Sequence, residues 1–201
     1  MFDVQVTFQR GNLVLSGELH DGGCICLSGL NGSGKTTFLN VVAGNLSPKA
    51  GYVKVGGADV TRLPPERRGV VLVNPDSLIP HLEVDRHLRW GAEVKKAPLD
   101  GATVAEVKDR LGISFSGRVD RLSLGMRERV SLATALLSKP KAILVDEAFS
   151  NIDHRNDFMS AYKELCAVRG IDLVFTTQQQ SDASLADHHY EMVDGRSSRL
   201  F

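Results

Sequence analysis

The sequence predicts an α/β fold: a mixed or parallel sheet carrying a glycine-rich loop, with a block of helices inserted into the sheet order. Three observations predict it. Two short, continuous apolar runs, Val70-Val71-Leu72-Val73 and Ala142-Ile143-Leu144-Val145, read as strands covered on both faces. The glycine-rich stretch Gly29-Leu30-Asn31-Gly32-Ser33-Gly34-Lys35-Thr36-Thr37 lies between an apolar strand and a helical segment. From about Leu82 to Leu136 the strand signal gives way to helical spacing.

Taken in order, Phe2, Val4, Val6 and Phe8 alternate with Asp3, Gln5 and Thr7, the pattern of a half-buried strand. A turn at Gly11-Asn12 leads to its hairpin partner, Leu13 to Leu19, and the pair starts an N-terminal antiparallel β-subdomain. Asp21-Gly22-Gly23 turns the chain into the strand Cys24-Ile25-Cys26-Leu27-Ser28. The helix from Thr37 to Ala43 is stopped by Gly44-Asn45-Leu46-Ser47-Pro48. A short strand follows at Gly51 to Val55. Asp59-Val60-Thr61 reads as solvated loop, and Pro64 to Arg68 as a loop or a single helical turn.

Asn74-Pro75-Asp76 breaks the next strand. Helices are predicted over Val84–Trp90, over Thr103–Leu111 with Val104, Val107 and Leu111 inward, and from about Leu124 to Ser138, where Lys139-Pro140 ends the run. After the Ala142–Val145 strand come a helix over Asn156–Val168, a strand at Leu173–Thr176, a short helix over Asp182–Asp187 and a last strand at Tyr190–Val193 before Asp194-Gly195. The expected organisation is one domain over 1–201, with a core from 1–76 and 139–201 and a helical lobe from 77–138.

The chemistry of the glycine stretch explains its residue types. It fits G-x-x-x-x-G-K-[ST], the P-loop, in the strand–loop–helix context that the motif needs. Gly29, Gly32 and Gly34 let successive backbone N–H groups curl toward phosphate oxygens, and the helix that follows adds its positive end. Asn31, Gly32, Ser33, Gly34, Lys35, Thr36 and Thr37 are therefore the expected nucleotide contacts. Lys35 is suited to the β- and γ-phosphates and the Thr36 hydroxyl to Mg²⁺. The fold class is accordingly a P-loop NTPase core. Asp146-Glu147 ends the second apolar strand, where open α/β sheets place their ligands. Asp146 suits a Mg²⁺ ligand and Glu147 a general base that polarises water.

Composition narrows the alternatives. The chain has 201 residues, 42% hydrophobic, with Lys+Arg and Asp+Glu both 24. That charge balance argues against nucleic-acid binding by bulk charge. No apolar run approaches the length of a membrane span, and Met1 to Val6 lacks a signal-peptide pattern. Cys24, Cys26 and Cys166, an odd set without metal-ligand spacing, suggest reduced thiols in a reducing cytoplasm. His81, His188 and His189 read as surface histidines.

The order of these motifs resembles the nucleotide-binding domain of ABC transporters over nearly the whole chain. Asn74 to Leu82 looks like the Q-loop. Leu122-Ser123-Leu124-Gly125-Met126-Arg127-Glu128-Arg129-Val130 looks like the signature LSGGQ-x-x-R-V, and Ser150-Asn151-Ile152-Asp153 like the D-loop. Asp59 to Arg68 and Ile79 to Leu82 look most like importer ATPases of the molybdate/tungstate, thiamine and sugar kind. The resemblance implies ATP and Mg²⁺ as ligands, with Asn74 beside Thr36 and Asp146 at the metal. It implies that Ser123 and Gly125 face the phosphates bound by a second ABC domain. It places Gln178 in the position of the switch histidine and Phe8 or Arg10 against adenine. It further implies a membrane permease as partner, a solute-binding protein in the same system, and a cytoplasmic location on the inner face of the membrane.

Departures from the family pattern are Asn74 for Gln, Leu124 for Gly, Met126 for Gln, Gln178 for His, and Arg10 where an aromatic is usual. Two functions follow: an ATP-binding subunit that drives a separate permease, or a degenerate ABC module that binds ATP, hydrolyses it poorly and acts as a regulatory or heterodimer partner. With 201 residues, the expectation is a stand-alone subunit.

Overall fold

The structure is a computed structural model and describes residues 1–11 and 13–201. The chain packs as two compact units. The first comprises Met1–Leu72, Lys141–Asp146 and Asp172–Phe201; the second comprises Val73–Pro140 and Glu147–Ile171.

The first unit is built on one sheet. Its strands are β1 (Phe2–Arg10), β2 (Leu13–Leu19), β3 (Cys24–Ser28), β4 (Ala50–Val55), β5 (Ala58–Asp59), β6 (Val70–Val73), β7 (Ala142–Val145), β8 (Asp172–Thr177), β9 (His188–Val193) and β10 (Arg196–Arg199). Their order is β5-β4-β1-β2-β10-β9-β3-β8-β7-β6. β3 pairs in parallel with β8 and β9, and β7 with β8, which gives the core sheet. β1 pairs antiparallel with β2 and β4, so the expected N-terminal subdomain is present and β10 joins it to the core sheet.

The register explains the alternation seen in the sequence. Val4 faces Leu19 and Phe8 faces Leu15 across β1 and β2, and all four are buried. Helix α1 (Lys35–Ala43) rests on this sheet through Phe38, Leu39, Val41 and Val42. Gly17 on β2 makes the seat for Phe38: a Cβ at position 17 would lie 2.4 Å from the Phe38 ring. Arg68, buried at 3% exposure, donates to the carbonyls of Val41 and Val42 at the C-terminal end of α1, and to those of Leu63 and Thr61.

The second unit holds α2 (Val84–Val94), α3 (Gly101–Arg110), α4 (Leu124–Leu137) and α5 (Arg155–Ala167). Helix α4 is its centre, with Val130, Leu132, Ala133 and Leu136 fully buried. Tyr162 on α5 donates to the Leu132 carbonyl, and Phe149, Phe158 and Tyr162 pack ring to ring. Glu147–Ile171 packs with these helices.

Several local expectations need correction. Val60 is 3% exposed and Thr61 Oγ1 accepts the Val53 N–H, so Asp59-Val60-Thr61 is tied to β4 and is not a solvated loop. His189 is buried, with Nε2 2.7 Å from Ser28 Oγ, so only part of the His188-His189 pair faces outward. Val70, Val71 and Leu72 are half-buried because β6 is the outer strand of the sheet, whereas β7 is covered on both faces as expected. The 182–187 helix is a 3₁₀ segment over Gln180–Leu185. Of the turn expected at Gly11-Asn12, Gly11 adopts φ +58° and Asn12 lies outside the described residues.

Candidate nucleotide-binding site

The P-loop begins where β3, buried along its whole length, runs out at Ser28. Gly29 leaves the strand at φ +151°, and a Cβ there would lie 2.4 Å from the Met192 carbonyl oxygen. The Gly29 N–H donates to Thr177 O on the neighbouring strand, which anchors the start of the loop. Gly34, at φ +109°, is the N-cap of α1 in a left-handed conformation that a side chain would strain. Ser33 N–H donates to Leu30 O, and Gly195 N–H donates to Ser33 O. The loop is thus closed on itself and tied to β8 and to the turn before β10.

Three properties of this loop suit a phosphate chain. The first turn of α1 holds no acidic residue, so the positive helix end is uncompensated. Lys35 is 5% exposed and its Nζ donates to Gly29 O at 2.7 Å and Leu30 O at 3.0 Å, which folds the ammonium over the loop. Ser33 Oγ is buried with no hydrogen-bond partner inside the protein, a polar atom that a phosphate oxygen would satisfy. Asn31, Gly32 and Thr36 are exposed, and Thr37 is half-buried.

Strand register places the acidic group on the same sheet edge. β8 lies between β3 and β7, and all three are parallel, so the P-loop and Asp146 both follow C-terminal strand ends. Two strand spacings separate them, about 10 Å. Val145 pairs with Phe175, which puts Thr176 beside Asp146, and Thr176 Oγ1 donates to Asp146 Oδ1 at 2.9 Å. Gln178 is exposed just beyond the end of β8, between the two. Mg²⁺ takes few protein oxygens and completes its shell with phosphate and water. The Thr36 hydroxyl and the Asp146 carboxylate are a donor set of that kind.

At the end of β1, Phe8 is 8% exposed and belongs to the core, while Arg10 is exposed. Phe8 also borders an open pocket with Gln9, Gly11, Ser47 and Lys49.

The remaining expected residues lie in the second unit. Glu147 is half-buried and has φ +59°, a left-handed conformation uncommon outside glycine. Asn74 Oδ1 accepts from the Asp76 N–H and from Ser77 Oγ, so both its lone pairs are used in a local turn. Ser123 is the N-cap of α4 and accepts the Met126 N–H at 3.3 Å. Leu124, the first residue of α4, is 46% exposed. Gly125 has no room for a side chain, since a Cβ would lie 2.3 Å from Asn151 O. The two arginines of this stretch brace it: Arg127 donates to Leu122 O and Asp120 O, and Arg129 to Leu111 O and Asp153 O.

Thr176, Arg68 and Glu128 escaped the sequence reading. For Thr176 a signal existed, since a polar pair at the end of the Leu173–Thr176 run is unusual in a buried strand. Burial holds the Glu128 carboxyl above the usual carboxylate range, against two hydrogen bonds from Asn151 that act the other way.

A glycine loop between a parallel strand and a helix, with an aspartate at the same sheet edge, defines a P-loop nucleotide-binding domain. The family model described as ABC transporter matches residues 14–150. The molybdate/tungstate import ATP-binding protein WtpC of Archaeoglobus fulgidus is 35% identical over 200 residues, covering 96% of this chain and 83% of WtpC. The spermidine/putrescine import ATP-binding protein PotA of Thermobifida fusca is 34% identical over 91% of this chain, which spans only 50% of PotA. Among solved structures, a dimeric ATP-binding cassette in a post-hydrolysis state bound to ADP and Pi superposes with a TM-score of 0.83 at 21% identity, covering 100% of this chain and 99% of that one. At that identity it shows the fold. The chain belongs to the ABC transporter family as one of its ATP-binding subunits, an ATPase. No helix among the described residues is long and apolar enough to cross a membrane.

Proposed function

We propose that this chain is the ATP-hydrolysing motor of an importer and drives a separate membrane permease. The observation that carries the reading is Asp146, fixed by Thr176 at the same sheet edge as the P-loop. Lys35 and the loop N–H groups from Asn31 to Thr37 bind the phosphates, and Phe8 or Arg10 stacks on the base. Thr36, Asp146 and Asn74 are the residues that would hold Mg²⁺, which when bound would supply charge neutralisation to the β- and γ-phosphates. Glu147 takes a proton from the attacking water, and Gln178 orients the γ-phosphate by hydrogen bonding.

Ser123 and Gly125 serve a second ABC domain, homologous or identical, whose P-loop they face. Residues 1–76 and 139–201 act as the nucleotide core, and 77–138 as the lobe that conveys closure to the permease. The chain works in the cytoplasm, held on the inner membrane face by that permease, with a solute-binding protein upstream and no nucleic acid involved. The test is co-purification with a candidate importer permease, followed by ATPase assay of the complex. Hydrolysis stimulated several-fold in the complex supports the reading. A chain that hydrolyses ATP but neither binds nor responds to that permease contradicts it.

A further inference from the structure

A continuous run of hydrogen bonds links α4 to the backbone of Glu147. Glu128, on the first turns of α4, is 2% exposed. Its two carboxylate oxygens each accept a bond from Asn151: Oε2 from the backbone N–H at 3.1 Å, and Oε1 from the side-chain Nδ2 at 2.7 Å. The same Nδ2 donates to Ser150 Oγ at 3.1 Å. Ser150 Oγ in turn donates to the Glu147 carbonyl oxygen at 2.9 Å. From the other side, Gly125 lets Asn151 O approach α4 more closely than any side chain would allow.

We propose that Glu128 is a positioning residue for ATP hydrolysis: by gripping Asn151 it fixes the 147–151 turn and with it the left-handed backbone of Glu147. The inference rests on the reading of Glu147 as the base. A left-handed, non-glycine residue persists only where its surroundings over-determine it. Glu147 meets that condition through bonds whose far end is a buried carboxylate. Small misplacements of a reacting group lower rate far more than they lower affinity. Glu128 itself touches no substrate, so its loss reads out in turnover and leaves nucleotide affinity intact.

The test uses the full chain. Single-turnover Mg-ATP hydrolysis, ATP affinity and hydrogen exchange at the Asn151 N–H are measured for wild type, Glu128→Ala, Glu128→Gln, Ser150→Ala and Glu147→Gln. Glutamine at 128 can keep both of its own bonds to Asn151 if that amide flips, because its Oε1 accepts the N–H and its Nε2 donates to Asn151 Oδ1, but the flip gives up the Nδ2 donation to Ser150 Oγ. The expected result is turnover lowered about tenfold or more in Glu128→Ala, with affinity within twofold and Asn151 exchange accelerated. Glu128→Gln then recovers the protection at the Asn151 N–H but only part of the rate, because the flipped amide no longer donates to Ser150 Oγ. Ser150→Ala, at an exposed position, lowers turnover without unfolding the unit. Wild-type rate in Glu128→Ala beside an inactive Glu147→Gln overturns the positioning role while the base stands. A Glu147→Gln variant that still hydrolyses overturns the base itself. An Asn151 amide that exchanges freely in wild type overturns the proposal whatever the rates.

Discussion

Thr176 donates a hydrogen bond to Asp146 Oδ1 at 2.9 Å, from β8 to the residue that follows β7. Both groups are buried, so the bond sets which way the carboxylate can turn. Thr176→Val keeps the shape and removes the donor. Partners that orient a metal ligand are typically worth about 10–100-fold in affinity or activity. The variant should therefore need about tenfold more Mg²⁺ for half-maximal hydrolysis, while thermal unfolding stays near wild type. An unchanged Mg²⁺ titration would remove Thr176 from the site.

Arg68 anchors the far end of the P-loop helix. Its guanidinium donates to four carbonyls, two of them at the end of α1. Lysine, a point charge with three donors, cannot match that fork. Leaving buried carbonyls unpaired costs about 1–3 kcal/mol each. Arg68→Met should lower stability by about 3 kcal/mol or more, roughly 10 °C in Tm at about 2–4 °C per kcal/mol for a chain of this size. Arg68→Lys should fall between. A melting curve within a degree or two of wild type would contradict the anchoring role.

His87 makes the second unit acid-sensitive. Burial holds its imidazole below the usual value of 6.5. Nε2 accepts the Ile79 N–H, and Nδ1 bonds to Thr134 Oγ1. A histidine with a depressed folded pKa contributes stability above its unfolded pKa and loses it as pH falls through the folded value. Protonation would also turn the Ile79 acceptor into a donor. Exchange at the Ile79 N–H should thus accelerate as pH drops below 6.5, after correction for intrinsic exchange, and His87→Gln should flatten that dependence. An identical pH slope in the variant would rule His87 out as the cause.

The altered signature predicts a slow isolated chain. Leu124 opens α4 with a branched, half-exposed side chain where the family pattern has glycine. Met126 lacks an amide, and Gln178 cannot take up an imidazolium charge. Losing one transition-state donor typically lowers rate about 10²–10³-fold. Leu124→Gly, Met126→Gln and Gln178→His together should raise turnover at least several-fold. Wild-type turnover of about 1 s⁻¹ or faster, within the ordinary enzyme range, would show these residues to be tolerated variants.

The sequence disclosed what is contiguous. The P-loop, Asp146-Glu147 and the 122–130 stretch each compress their chemistry into one run of residues, and strand and helix follow from spacing alone. Relationships that depend on register or long-range packing were hidden. Thr176 meets Asp146 only because β7 and β8 pair in parallel with Val145 opposite Phe175. Arg68 looked like loop because its acceptors lie at 41, 42, 61 and 63. Glu128 appeared only as one position of the 122–130 stretch, because its partner Asn151 lies 23 residues away in sequence. His189 is buried because β9 runs inside the sheet, between β10 and β3, and turns that side chain onto Ser28.

Binding of ATP is assigned to Lys35 of the P-loop, and its hydrolysis to Glu147. Titration of radiolabelled Mg-ATP onto wild type, Lys35→Ala and Glu147→Gln, followed by separation of bound ATP from ADP, tests this assignment most directly. The expected result is binding and slow conversion to ADP in wild type, no measurable binding in Lys35→Ala, and bound but unconverted ATP in Glu147→Gln. Unchanged affinity in Lys35→Ala, or conversion by Glu147→Gln at the wild-type rate, would contradict it.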